Sequence, residues 1–114
     1  MPSHLVHWQA LATTDPDRLV AALTAGDLPT WELSFAAEVA GALPAAHEAL
    51  IELLHHESPT VREGAIYGLA KQLDTRPAIR ARLKELAASD RSGAVREAAA
   101  EVVAVESAPH VHDE

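Results

Sequence analysis

One stretch of this chain is written twice. Residues 58–70 read SPTVREGAIYGLA and residues 92–104 read SGAVREAAAEVVA, so Val61-Arg62-Glu63 returns as Val95-Arg96-Glu97 after 34 residues. A period of this length marks a supersecondary unit that cannot cover its own apolar face and stacks on copies of itself to do so. The repeat therefore restricts the fold before any chemistry is considered.

Proline and glycine divide the chain into short helices. Asp15-Pro16 is an N-cap followed by proline at the first helical position, and Gly26 stands where a helix C-terminus places glycine. The spacing predicts helices at about 16–25, 30–42, 44–56, 59–73, 76–88 and 93–105, with residues 3–12 as an N-terminal capping segment and 107–114 as a flexible tail. Apolar residues recur at helical spacing: Leu33, Ala36, Ala37 and Ala40 in the second helix, Val61, Ala65 and Leu69 in the fourth. No segment alternates with period two, so strands are not expected. Connections of two to five residues make consecutive helices neighbours. The expected fold is all-α, a single domain over residues 1–106 built as a short α-solenoid of three antiparallel helix pairs. Small residues at Gly64, Ala65, Gly68, Ala98 and Ala99 let the second helix of each pair approach its neighbours closely.

The stretch from about Ala49 to Val103 resembles HEAT repeats in their compact bacterial form. It carries LIELL or LKELA at the end of one helix, a turn with an acid and Ser or Pro, then VR, then alanines facing inward. The resemblance implies a ladder between neighbouring repeats, made by an Asp in the turn and an Arg six residues later. Asp90 and Arg96 match that spacing. Beside Arg62 the matching position is His56, with Glu57 one residue off, which implies an altered rung. Arg62, Asp90 and Arg96 are thus inter-repeat residues by resemblance. Residues 16–43 keep the alanines but have Leu33-Ser34 in place of VR.

Charge is unevenly spread. Residues 1–57 hold eight acids and one base, a net of −7, whereas residues 58–114 come to −1, within a total of −8. Such a field repels nucleic-acid backbones and phospholipid headgroups and favours a basic partner. No apolar run approaches the roughly 18 residues of a membrane span, and there is no basic leader. With no cysteine, neither disulfides nor thiol chemistry is available. The reading is a cytoplasmic protein with no nucleic-acid or membrane partner.

The seven histidines invite a metal reading. Glu48, Glu52 and His56 fall at i, i+4 and i+8 on the third helix, but H-E-x-x-H is absent because position 51 is Ile, and the stripe reads as a solvated face. His110 and His112 lie in the tail. The bases Arg76, Arg80, Arg82 and Lys84 lack the interleaved aromatics of a nucleic-acid groove, although some HEAT-like proteins are DNA glycosylases. There is no Gly-rich phosphate loop and no nucleophile elbow, so neither a catalytic site nor a cofactor is expected.

The second helix breaks the repeat's pattern. When Leu33 is aligned with Val61 and Val95, Phe35 stands where Glu63 and Glu97 do, and Val39 stands where Tyr67 and Glu101 do. Trp31, Phe35 and Val39 then form an apolar stripe off the core register, flanked by Glu32 and Glu38. Either the N-terminal segment with Leu5, Trp8 and Leu11 folds over this stripe, or part of it anchors a partner; the two are compatible. The functional expectation is a non-catalytic protein-binding module. Trp31, Phe35 and Tyr67 are its anchors, and Glu32, Glu38 and Glu63 supply steering toward a basic protein. The alternatives are a small acidic antitoxin or immunity protein, or a HEAT-like accessory subunit of an enzyme.

Overall fold

A computed structural model describes residues 2–73 and 76–107. Among them there are seven α-helices and no strand: α1 (Pro2–Thr14), α2 (Pro16–Ala25), α3 (Thr30–Ala40), α4 (His47–Leu53), α5 (Pro59–Leu69), α6 (Pro77–Ser89) and α7 (Gly93–Ser107). Short 3-10 turns, Pro44–Ala46 and Ala70–Gln72, precede α4 and follow α5.

Local chemistry accounts for the ends. The Asp15 carboxylate accepts from the Arg18 amide at 3.4 Å, and Gly26 closes α2 in the left-handed region at φ 83°. The hydroxyls of Ser58 and Ser92 accept from the Val61 and Val95 amides, so α5 and α7 start on the same cap 34 residues apart.

The segment 3–12 is more than a cap strapped over the end: it lies within α1, which packs on α2 and α3. Trp8 and Leu11 are buried in the shared core. The third helix is shorter than its periodicity suggests. Its last turn tightens to i→i−3 bonds, His55 N–H to the Glu52 carbonyl and His56 N–H to that of Leu53, which ends α4 at Leu53. His56 is therefore off the helix, and the Glu48, Glu52, His56 stripe does not exist as a helical face. Thr75 and residues 108–114, including His110 and His112, lie outside the described residues, while Ser107 is the last residue of α7.

The core is a single cluster of Leu19, Leu23, Leu50, Leu54, Val61, Ile66, Leu69, Ile79, Leu83 and Val95 with the small residues between them. The chain forms a short α-solenoid in which α3 packs on α5, α5 on α7, and α4 and α6 back the stack. Gly64 lies against Ser34 and Gly68 against Ala37, so α3 and α5 run in the same direction with their backbones in close approach.

Candidate functional site

The residues singled out on α3 divide among three environments. Leu33, Ala36, Ala37 and Ala40 face the core. On one flank, Glu32 is only 7% exposed, and its carboxylate accepts a 2.8 Å hydrogen bond from the Trp8 indole N–H. Glu32 is thus no steering residue at the surface: α1 covers it, and its charge serves the joint between α1 and α3. On the outer strip Trp31 is 56% exposed and Glu38 is exposed. Phe35 and Val39 are half-buried against the core, so Phe35 is part of the packing as well as of the surface. Trp31, Phe35 and Glu38 share a strip because i, i+4 and i+7 lie on one face of a helix.

The strip continues onto α5 and α7. Tyr67 is half-buried, and its hydroxyl donates to the Glu101 carboxylate at 3.3 Å. Burial comes first among the effects that push the Tyr67 phenol above its usual value; the Glu101 charge and hydrogen bond follow, then the charges of Glu63 and Glu38. Carboxylates from three helices therefore act on one phenol. Glu101 was not among the anticipated site residues, yet the period predicts its place, since it stands 34 residues after Tyr67. At the edge of the strip the Lys71 ammonium donates to the Glu38 main-chain carbonyl at 2.7 Å. Gln72 donates to the carbonyls of Gly41 and Leu43, so the shallow depression lined by Lys71, Gln72 and Arg76 closes the end of α3.

Tyr67 is the chain's single tyrosine, so its ionisation can be followed directly by near-ultraviolet absorbance. Glu101→Gln should move that ionisation down toward the ordinary tyrosine value of about 10. An unmoved titration would mean that Glu101 does not act on the phenol.

The inter-repeat residues differ in detail from the implied ladder. Arg62 is 2% exposed, and its Nε and Nη2 donate to the two Asp90 carboxylate oxygens, each at 3.0 Å. Its Nη1 donates to the main-chain carbonyls of His56 at 2.6 Å and Glu57 at 3.2 Å. The Arg62 joint is thus fully made, and what differs there is the His56 side chain. Arg96 is exposed and reaches the Asp90 main-chain carbonyl at 2.6 Å, not its carboxylate. Asp90 is claimed by the preceding repeat because Arg62 presents a planar fork across the interface. Burial alone would raise the Asp90 carboxyl, but the Ser92 amide, the Arg62 hydrogen bonds and the charges of Arg62 and Arg91 outweigh it and hold the group below its usual value.

The HEAT-repeat family matches this chain over residues 7–104. The chain belongs to that family. The match takes in α3, so the first repeat, with Leu33-Ser34 in place of Val-Arg, is included. HEAT repeats are commonly protein–protein interaction modules, and the family is typically a non-catalytic scaffold. No curated protein and no solved structure matches the chain. Among the described residues no group of three or more His, Asp or Glu side chains is placed to hold a metal, and no helix is long and apolar enough to cross a membrane.

Proposed function

We propose that this HEAT-repeat chain is a non-catalytic cytoplasmic binding module that holds a basic protein on the outer strip of α3, α5 and α7. The observation that carries the reading is the surrounding of Tyr67 by Glu38, Glu63 and Glu101, on the same face as the exposed Trp31. Carboxylates gathered round an aromatic side chain attract a guanidinium or ammonium group, and an exposed indole adds contact area and a cation–π surface. Trp31 and Tyr67 are the anchors, Phe35 adds the part of its ring that the core leaves open, and Glu38, Glu63 and Glu101 steer the encounter. Glu32 is excluded from this role by its burial.

The test is affinity co-purification of the tagged protein from its host's cytosol, with Trp31→Glu alongside. Phe35→Glu is the poorer probe because Phe35 also packs on the core. The expected result is a stoichiometric basic protein bound by the wild type. Trp31→Glu should weaken it by about 30-fold or more, the size of a hot-spot loss. Its melting temperature should stay close to that of the wild type. A partner held equally well by Trp31→Glu would move the site off this strip, and the absence of any basic partner would overturn the reading.

A further inference from the structure

We infer that the depression at the end of α3 is a binding site for a small organic anion, a phosphate ester or a carboxylate. Its walls follow from the local sequence. Gly41 packs on the Gly68 backbone, and beyond it the chain turns through Ala42 to Pro44. On the facing side the short turn Ala70–Gln72 carries Lys71 and Gln72 off the end of α5. Arg76 precedes Pro77, which keeps its backbone out of the helical region at φ −140° and ψ 83°, and its side chain completes the lining. The space enclosed is about 340 Å³, within the range of small-ligand sites.

The charge of this lining is opposite to that of the chain. Lys71 and Arg76 bring two positive groups and none of the lining residues is acidic, although the chain as a whole carries −8. The C-termini of α3 and α5 lie side by side here, and uncapped they would repel an anion. Both side chains of the α5 turn cap them. The Lys71 ammonium donates to the Glu38 carbonyl at 2.7 Å, and the Gln72 amide donates to the carbonyls of Gly41 at 2.9 Å and Leu43 at 3.4 Å. An ammonium has three N–H groups, and the Glu38 carbonyl takes one of those on Lys71. Arg76 is exposed, and no described residue accepts from its guanidinium.

A phosphate or carboxylate group between Lys71 and Arg76 takes charge-assisted hydrogen bonds from both, while the carbon part of the ligand lies on Ala42 and Pro44. A cation would meet two like charges instead. The site is therefore distinct from the strip around Tyr67, which selects the opposite charge.

Nuclear magnetic resonance titration in phosphate-free buffer of low ionic strength tests the site. Phenyl phosphate or benzoate should move the Gly41 and Ala42 amides and the Gln72 side-chain amide along saturable curves, and the tighter of the two names the class of anion. Lys71→Gln and Arg76→Gln should each weaken binding by about tenfold, and together by about 100-fold, one charge-assisted hydrogen bond being lost at each. Shifts that do not saturate with either compound, that persist unchanged in the double variant, or that centre on Arg82 and Arg91 would overturn the inference. If Lys71→Gln loosens the end of α3, Arg76→Gln decides alone, since no described residue depends on its side chain.

Discussion

Gly68→Leu should destabilise the fold by about 3 kcal/mol, at the upper end of what overpacking costs. A Cβ built on Gly68 falls 2.5 Å from the Ala37 carbonyl oxygen, closer than real Cβ atoms come to their neighbours, and the atom it meets is backbone. A Cβ on Gly41 or Gly64 meets backbone of the facing segment in the same way. Neither α3 nor α5 can relieve the clash by turning a side chain, so the helices must separate and expose the alanines between them. Urea unfolding of Gly68→Leu beside Gly93→Ala makes the comparison clean. A Cβ on Gly93 meets only the Arg96 guanidinium, at an ordinary 3.5 Å. Gly93→Ala should therefore be neutral, or stabilising by about 0.5 kcal/mol through reduced freedom of the unfolded chain. Equal midpoints for the two variants would show that α3 and α5 do not approach at the backbone.

The same glycines explain why the fold was legible. The 34-residue period, the caps at Ser58 and Ser92, and small residues on one face of each repeated helix are local signals that agree with one another. The site was legible only in part. Helical spacing takes Trp31, Phe35 and Val39 off the core register; Trp31 is exposed, whereas Phe35 and Val39 are half-buried against the core. Spacing cannot say what covers the neighbouring flank, because that depends on where α1 goes. Trp8, Leu11 and Ala12 at i, i+3 and i+4 were the available sign that residues 3–12 form a helix with its own apolar face. Their partner across the interface is Glu32, which turns a surface acid into a buried one. Length was the other source of error. Glu48, Glu52 and His56 share a face only if the helix runs on past Leu53, and the tightened last turn withdraws His56 into a different role.

The two-sided hold of Arg62 leads to the largest single effect. Arg62→Ala should lower stability by about 3–5 kcal/mol, the range seen when one member of a buried ion pair is removed. The side chains of Arg62 and Asp90 are 3% and 5% exposed, so solvent cannot compensate the charge left behind. Asp90 would keep the Ser92 amide and the Glu57 carbonyl would keep Arg91, while the His56 carbonyl would lose the Arg62 donor. Arg62→Met with Asp90→Leu removes both charges and should recover much of the loss, because apolar groups of similar volume need no partner.

Acid supplies an independent reading of the same pair. Asp90 titrates below its usual value in the fold, so its contribution is present above the ordinary carboxylate range of about 3.9 and is lost as pH falls through the lowered native value. Asp90→Asn should abolish that part of the acid dependence. Melting temperatures of the wild type and Asp90→Asn between about pH 3 and 7.5 measure it, as two curves that converge toward the acid end. The same acid dependence in both proteins would mean that the Asp90 charge contributes nothing to stability.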